Sequence, residues 1–308
     1  MNPLRGILLK IASVALFMAM ASFIKQAAAE GVPPGERIFF RSVFAIPVIL
    51  IWLWWRHDLR EGLKTKNPMG HLWRGLVGGT AMVLGFTALG LLPLPEVTAI
   101  GYAAPLLTVI FAAMFLGEQV RIFRLTAVLV GLCGVVIILS PRLSVLSFDD
   151  ASKLETVGAF AMLTAAVFMA LAQVFVRKLV QTEATPAIVF YFSLVTTGIG
   201  LLSLPFGWVW PGGWTLLMLI GAGVVGGLGQ ILLTESYRHA ETSVIAPFEY
   251  ASMLLAIGVG FFVFDEVPSH TVLAGASLIV AAGLYIIWRE HRLGLERAAQ
   301  RRVMTPQG

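Results

Sequence analysis

Residues 97–116 read VTAIGYAAPLLTVIFAAMFL and contain no charged side chain. A helix of about 20 apolar residues is long enough to cross the hydrocarbon core of a bilayer. The stretch is continuously apolar and does not alternate polar with apolar residues, as a strand of a membrane β-barrel would. It therefore predicts a transmembrane helix.

Nine further apolar runs of similar length lie on either side of this stretch. We number the ten runs in chain order as spans 1 to 10, and they cover residues 5–27, 36–55, 72–92, 97–116, 124–140, 154–176, 186–206, 214–234, 243–264 and 271–288. Ten spans of about 20 residues leave too little of the 308 residues for a separate soluble catalytic domain. The predicted fold class is an all-α integral membrane protein with ten transmembrane helices.

The composition agrees with this prediction. The chain is 58% hydrophobic and 13% charged, with a mean hydropathy of +0.86, whereas an average soluble domain is about 25% charged. This difference excludes an ordinary cytosolic enzyme, a disordered protein and a nucleic-acid-binding module. The expected partners are a small-molecule substrate and the lipid bilayer, without nucleic acid; a homodimer is compatible with the sequence. The single Cys133 permits no intrachain disulfide.

The positive charges indicate an orientation. When the N-terminus is placed inside and the spans alternate, most of the 22 lysines and arginines fall in inside segments. The positive residues that fall in outside segments are Lys25, Arg37, Arg142 and Lys153. Cytoplasmic loops of membrane proteins carry an excess of Lys and Arg. We therefore expect a multi-pass protein of a bacterial-type inner membrane with both termini in the cytoplasm.

The chain also repeats short sequences in the same order in its two halves. Residues 17–21 (FMAMA) recur as 168–172 (FMALA), and residues 96–100 (EVTAI) recur as 241–245 (ETSVI). The acidic residue before span 5, Glu118, has a counterpart in Glu266 before span 10. Each half therefore has five spans, and because five is odd the second half enters the membrane upside down. Such inverted repeats are common in alternating-access carriers, with the substrate site near the midplane.

These residues resemble the EamA family of the drug/metabolite transporter superfamily. Residues 102–118 are similar to its fourth helix, residues 246–250 to its ninth, and residues 283–290 to the end of its tenth. The resemblance implies a first EamA repeat at 1–146, a second at 147–293 and a cytoplasmic tail at 294–308. It also implies a central cavity lined by helices 3, 4, 8 and 9 and parts of 1, 2, 6 and 7. Members carry amino acids, other metabolites, S-adenosylmethionine or riboflavin.

Two basic residues are candidates for binding a substrate carboxylate. Arg41 lies about five residues inside span 2. A charged side chain within the bilayer has a high free-energy cost and usually has a functional role. Its guanidinium could hold a carboxylate with two parallel hydrogen bonds. The alternatives are that it reaches the outer interface or pairs with Glu36 or Glu96. Lys25, at the outer end of span 1, could join Arg41 in a positive vestibule or could be an interface lysine.

Glu249 in span 9 is the strongest acidic candidate for binding the substrate or a proton. Pro247 just before it removes a backbone hydrogen bond and favours a kink or break. The carboxylate could bind a substrate ammonium group or take up a proton, or it could stabilise the kink. Tyr250 beside it could stack on a ligand or pack in the core.

Three polar residues inside other spans complete the predicted site. Tyr102 lies in span 4 one turn before Pro105, which marks an irregular helix in the first half. The amides Gln173 in span 6 and Gln230 in span 8 lie near mid-membrane. Each could contact a polar substrate or link neighbouring helices.

The predicted function is secondary transport of an amino acid or a related zwitterion by alternating access. The alternative substrate is a larger cofactor-like molecule such as S-adenosylmethionine or riboflavin, whose ring would stack on Phe17, Tyr102, Phe168 or Tyr250. The sequence has no H-E-x-x-H or G-x-S-x-G motif, which argues against an enzyme, and no filter motif of a channel. We expect no cofactor and no metal site. Because no ATP-binding motif is present, we expect an ion or substrate gradient to drive transport.

Overall fold

The computed structural model describes residues 3–116, 122–144, 150–239 and 246–304, and every structural statement below refers to these residues. They contain helices and their connections and no β-strand. The predicted repeat boundary at 146/147, Glu118 and the repeated residues 241–245 lie outside the described residues.

Ten spans are present in the predicted order. Seven of them are single helices: span 10, described below, and six others, of which span 1 is Pro3–Ala29, span 3 is Pro68–Leu91, span 5 is Ile122–Ser144, span 6 is Asp150–Leu179, span 7 is Thr185–Leu202 and span 8 is Gly213–His239. Three are interrupted: span 2 is Pro34–Val43 and Ala45–Trp55, span 4 is Leu94–Gly101 and Ala103–Leu116, and span 9 is the 3₁₀ turn Ala246–Tyr250 and the helix Ala251–Phe264. Span 10, His270–Met304, continues as one helix into the predicted tail.

The lengths and surfaces of these spans confirm an integral membrane protein. Nine of the ten are long and apolar enough to cross a membrane, and span 9 contributes a shorter apolar helix, Phe248–Phe264. Large apolar side chains cover the outside of the bundle, as lipid contact requires, for example Phe262 at 84% exposure and Leu254 at 75%. Exposed tryptophans such as Trp55 and Trp210 lie at span ends, where aromatic residues meet the membrane interface.

The spans of one half pack on spans of the other half. Span 1 packs along span 8, and span 6 packs along span 3. Span 2 packs on span 7, and span 5 on span 10. If each span is replaced by its counterpart in the other half (1 by 6, 2 by 7, 3 by 8, 5 by 10, and the reverse), the same four pairs result. The packing therefore has the symmetry that a fold built from two related halves requires.

Spans 4 and 9 are interrupted at equivalent places. Span 4 breaks at Tyr102, shortly before Pro105, and the 3₁₀ turn of span 9 ends at Tyr250. The two rings meet edge to face at 5.2 Å, and the Tyr102 hydroxyl lies 2.7 Å from Ser252 Oγ. It also donates to the carbonyl oxygen of Tyr250. Interrupted helices that face each other in the membrane leave backbone groups near a central site.

A repeated glycine pattern lets spans 3 and 8 approach their neighbours closely. It reads Gly75-x-x-Gly78-Gly79 in span 3 and Gly223-x-x-Gly226-Gly227 in span 8. A methyl group on Gly75 would lie 2.6 Å from the Val195 side chain in span 7, and one on Gly223 would overlap Phe44 Cβ in span 2. Small residues at such crossings are the usual means of close helix packing in membranes.

Candidate functional site

A cavity of about 800 Å³ lies between the two halves. Its wall comes from spans 1 to 4 and 6 to 9, while the described parts of spans 5 and 10 do not contribute. This volume is within the range of small-molecule sites, about 300–1,000 Å³. The helices that form the wall are those that the family resemblance implies.

The cavity reaches the surface at one end of the bundle and is closed at the other. Gln181, an exposed residue in the connection between spans 6 and 7, is part of its wall. At the opposite end the wall is formed by buried residues such as Phe86, Leu89 and Val97. The open end is the one at which span 1 begins, which the orientation prediction places in the cytoplasm.

The closed end is held by a group of buried and half-buried polar contacts. Lys25 Nζ lies 2.8 Å from Glu266 Oε1 and donates to the Leu92 carbonyl oxygen at 2.7 Å. The Leu94 backbone N–H donates to Glu266 Oε2 at 2.7 Å. These contacts join span 1, the connection between spans 3 and 4 together with the first residue of span 4, and the connection between spans 9 and 10. We call Lys25, Glu266, Leu92 and Leu94 the end closure.

Four of the seven predicted site residues line the cavity, namely Arg41, Gln173, Gln230 and Glu249. The other three do not. Lys25 belongs to the end closure, and Tyr102 and Tyr250 contact each other at the helix interruptions. We therefore leave these three out of the site that we propose below. Of the aromatic residues expected to stack on a planar ring, Phe17 lines the cavity.

Two cavity residues were overlooked in the sequence because they lie near span ends. The orientation count places Arg74 among the inside charges, at the inner end of span 3, and the structure buries it there at 6% exposure. Lys10 was also counted as an inside charge, and it is buried in span 1 at 3% exposure. Lysines and arginines at span ends are normally interface residues, so sequence position alone gives no reason to select these two.

Arg41 and Arg74 share one aromatic partner. The guanidinium carbon of Arg74 lies 3.6 Å from the centre of the Phe192 ring, and that of Arg41 lies 5.6 Å from it. Such contacts favour the cation electrostatically. Residues 40–42 (FRS) recur as 191–193 (YFS) at the same spacing as residues 17–21 and 168–172. Phe192 in span 7 is therefore the residue that matches Arg41 in the sequence repeat. The two cations therefore meet at the contact between spans 2 and 7.

A second charged group lies nearer the open end. Lys10 Nζ and Glu249 Oε2 form an ion pair of 3.1 Å, with the Lys10 side chain 4% exposed and the Glu249 side chain 35% exposed. Glu249 lies in the 3₁₀ turn of span 9 and not inside its α-helix. Tyr237 of span 8 also lines this part of the cavity. Within the described part of the chain no three His, Cys, Asp or Glu side chains are grouped as a metal site would need.

Comparisons with known proteins agree on a family of carriers. The family model of the EamA-like transporter family matches residues 4–140 and 156–289, one stretch for spans 1 to 5 and one for spans 6 to 10. The pseudopaline exporter CntI of Pseudomonas aeruginosa is 34% identical over 283 residues, which cover 90% of this chain and 94% of that protein.

Two other relatives are named for different substrates. The riboflavin transporter of Vibrio cholerae is 30% identical over 96% of this chain and 97% of its own length. The S-adenosylmethionine uptake transporter of Rickettsia felis is 28% identical over 83% of this chain and 84% of its own length. A solved crystal structure shares the fold, with a TM-score of 0.67 at 23% identity over 94% of this chain and 98% of that chain.

Proposed function

The chain belongs to the EamA-like transporter family, and from this premise we propose that it moves an amino acid or a related zwitterion by alternating access. Relatives over most of its length are transporters, so it is a membrane transporter and not an enzyme. The substrate class, the direction of transport and the cytoplasmic location of both termini are our proposals.

The observation that carries the proposal is the presence of both charge types on one cavity wall. Arg41 presents a guanidinium that can bind a carboxylate with paired hydrogen bonds. Glu249 presents a carboxylate whose Oε2 is held by Lys10, and its other oxygen can accept from a substrate ammonium group. A zwitterion bound between them would satisfy both groups. The amides of Gln173 and Gln230 can then contact its remaining polar atoms.

A larger substrate is the second candidate, and the cavity volume supports it. A volume of about 800 Å³ exceeds what a simple amino acid fills and falls in the range of drug-sized ligands. Phe17 and Phe192 on the wall offer aromatic faces for a planar ring. An amino acid that carries a large substituent, such as S-adenosylmethionine, would match both the charged residues of the cavity wall and the cavity volume.

The first experiment is a ligand screen on the purified protein. A ligand at 100 times its Kd stabilises the state that it binds by about 2.7 kcal/mol, which a thermal melt detects. The panel contains amino acids, S-adenosylmethionine, nucleosides and flavins. The proposal predicts stabilisation by compounds with an amino-acid group, and stabilisation by flavins alone would contradict it.

The second experiment is uptake of the selected compound into proteoliposomes. Arg41→Ala and Glu249→Gln should lose transport while the protein remains folded, because each removes one charged contact to the substrate. Matched controls are Arg56→Ala and Glu61→Gln, which change exposed residues away from the cavity. Full transport by both cavity variants would contradict the proposal.

A further inference from the structure

The positive charges of Arg41 and Arg74 have no acidic partner in the described part of the chain. Arg41 is 2% exposed and Arg74 is 6% exposed. In each guanidinium, Nε and Nη1 are buried and donate no hydrogen bond to any described residue. The nearby cation Lys10 is different, because Glu249 neutralises it. Two cations without an acidic partner among the described residues therefore line the cavity.

A third buried arginine shows how this fold holds a guanidinium with backbone carbonyl oxygens. Arg37 is 3% exposed. Its Nε has no partner among the described residues, as in Arg41 and Arg74, but its Nη1 donates to the carbonyl oxygens of Phe86 at 2.9 Å and Ile24 at 3.5 Å. An unpaired buried charge is strongly unfavourable, and in a membrane it usually marks a functional site. The comparison indicates that Arg41 and Arg74 are held ready for an acceptor that comes from outside the chain.

The glycine pattern of spans 3 and 8 makes room for both guanidinium groups. A methyl group on Gly78 would lie 2.5 Å from Arg74 Nη1, and one on Gly226 would lie 3.2 Å from Arg41 Nε. The two glycines occupy the same place in the repeated pattern. Each arginine therefore packs one guanidinium nitrogen against a helix surface that has no side chain, and both arginines line the cavity.

We propose that Arg41 and Arg74 bind two carboxylate groups of one substrate, so that the carried zwitterion has more than one carboxylate and a net negative charge. This inference rests on the proposed function and narrows its substrate class. A single carboxylate would leave one positive charge uncompensated in a medium of low dielectric constant, whereas two carboxylates neutralise the pair. Planar, bidentate recognition of carboxylates is the interaction for which arginine is best suited.

The first test needs no substrate. In the empty protein, Arg41→Met and Arg74→Met each remove an uncompensated buried charge, so we expect the melting temperature to rise by about 2 °C or more. The matched control Arg37→Met should lower it, because two carbonyl oxygens lose their donor. If both cavity variants lower the melting temperature as Arg37→Met does, the arginines are structural and the inference is wrong.

The second test compares diacids with their monoamides. The probes are L-glutamate against L-glutamine, and the linear diacids from malonate to suberate against their monoamides, with inorganic phosphate as a further arm. We expect some diacid to bind the purified protein at least about tenfold more tightly than its monoamide. This preference should disappear in Arg41→Met and in Arg74→Met. The inference is overturned if no diacid binds, if the monoamides bind equally well, or if phosphate alone binds.

Transport separates a failure of this inference from a failure of the proposed function. If proteoliposomes exchange glutamine or another amino acid with one carboxylate as fast as its diacid analogue, the zwitterion carrier stands and the two-carboxylate site does not. If they exchange no compound with an amino-acid group, the proposed function fails as well.

Discussion

At the residue scale, the ion pair of Lys10 and Glu249 links span 1 to the interruption of span 9. Its two atoms are 3.1 Å apart, and the lysine is almost fully buried. We predict that Lys10→Met or Glu249→Gln alone lowers the free energy of unfolding by about 1–3 kcal/mol, because each leaves the other partner unpaired. The double variant should lose less than the sum of the two single losses.

A double-mutant cycle measured by unfolding of the purified protein checks this coupling. The exposed pair Lys64–Glu61 provides the control cycle, for which we expect a coupling close to zero because solvent screens it. Additive losses at Lys10 and Glu249 would show that the two side chains do not stabilise each other.

A second prediction at the residue scale concerns Gly78. We expect its substitution by alanine to impair transport without destabilising the fold. Gly78→Ala places a methyl group 2.5 Å from Arg74 Nη1 and 3.0 Å from Phe192 Cε2. The end of the arginine side chain can move aside, so the protein should keep its melting temperature, yet the guanidinium leaves its position beside the cavity. We expect uptake into proteoliposomes to fall at least about tenfold.

The control for this prediction is Gly198→Ala in span 7. No atom lies within 4 Å of the position that its methyl group would take, and alanine favours a helix over glycine by about 1 kcal/mol. Gly198→Ala should therefore transport normally. Equal transport by the two variants would remove the argument that Gly78 makes room for Arg74.

Residue identity predicted part of the cavity lining. Arg41, Glu249, Gln173 and Gln230 were identifiable because a charge or an amide inside an apolar run is unusual. Arg74 and Lys10 lie near span ends, where such residues are ordinary, so only the packing of the spans reveals that they are buried. Lys25 was selected by charge, but its partners in the end closure are distant in sequence.

At the scale of the elements, Glu183 ties two connections together. It lies between spans 6 and 7 and accepts hydrogen bonds from the backbone N–H groups of Lys66 and Asn67 at 2.9 and 3.0 Å. Burial raises the pKa of the Glu183 carboxyl. The hydrogen bond from the Lys66 backbone N–H, the nearby Thr65 hydroxyl and the His71 ring, whose Nε2 lies 3.4 Å from Oε2, outweigh burial and hold this pKa below its usual value.

A lowered pKa in the folded state sets the direction of a pH effect. Glu183 should contribute stability that is fully present above the usual carboxyl pKa and lost as pH falls through the lowered value. We predict that the wild type is more stable than Glu183→Gln by about 1 kcal/mol at neutral pH, because a charged acceptor is stronger than an amide. Melting temperatures measured from neutral to acidic pH check this, and a constant difference would contradict it.

The contact between spans 5 and 10 gives another element-scale prediction. Methyl groups on Gly134 and Gly275 would lie 2.7 and 2.5 Å from each other's backbone oxygens, and backbone cannot move aside as a side chain can. Gly134→Ala should therefore lower the free energy of unfolding by about 1–3 kcal/mol. Gly258→Ala, with open space around its new methyl group, should not, and thermal melts of the two variants decide between these outcomes.

The apolar runs predicted the positions of the spans closely. The sequence predicted the interruptions within the spans only in part. Pro105 and Pro247 indicated irregular helices, and spans 4 and 9 are interrupted close to them. Periodicity and proline do not reveal that Tyr102 and Tyr250 meet, since this contact depends on how two distant helices cross.

At the scale of the whole molecule, a cavity lies between two related halves and is open at one end. The sequence repeats indicated the two halves, and the spans pair symmetrically between them. The inside location of the open end still rests on the distribution of Lys and Arg. Cavity volume and the choice of open end arise from the packing of eight spans, so no local pattern could have predicted them.

The end closure explains why only one end is open. Breaking the pair of Lys25 and Glu266 removes a contact that holds three parts of the molecule together. We expect Glu266→Gln to weaken this end and to shift the population toward molecules that open there. An alternating-access carrier must close the other end at the same time.

Cysteine accessibility tests this central claim most directly. In a Cys133→Ser background, Val176→Cys reports on the cavity wall toward the open end, and Leu92→Cys reports on the end closure, where Leu92 is 2% exposed. We predict that a polar thiol reagent labels position 176 and not 92, and that adding Glu266→Gln increases labelling at 92 while it decreases labelling at 176. Simultaneous labelling of both positions, as in an open channel, or no change with Glu266→Gln, would contradict the account.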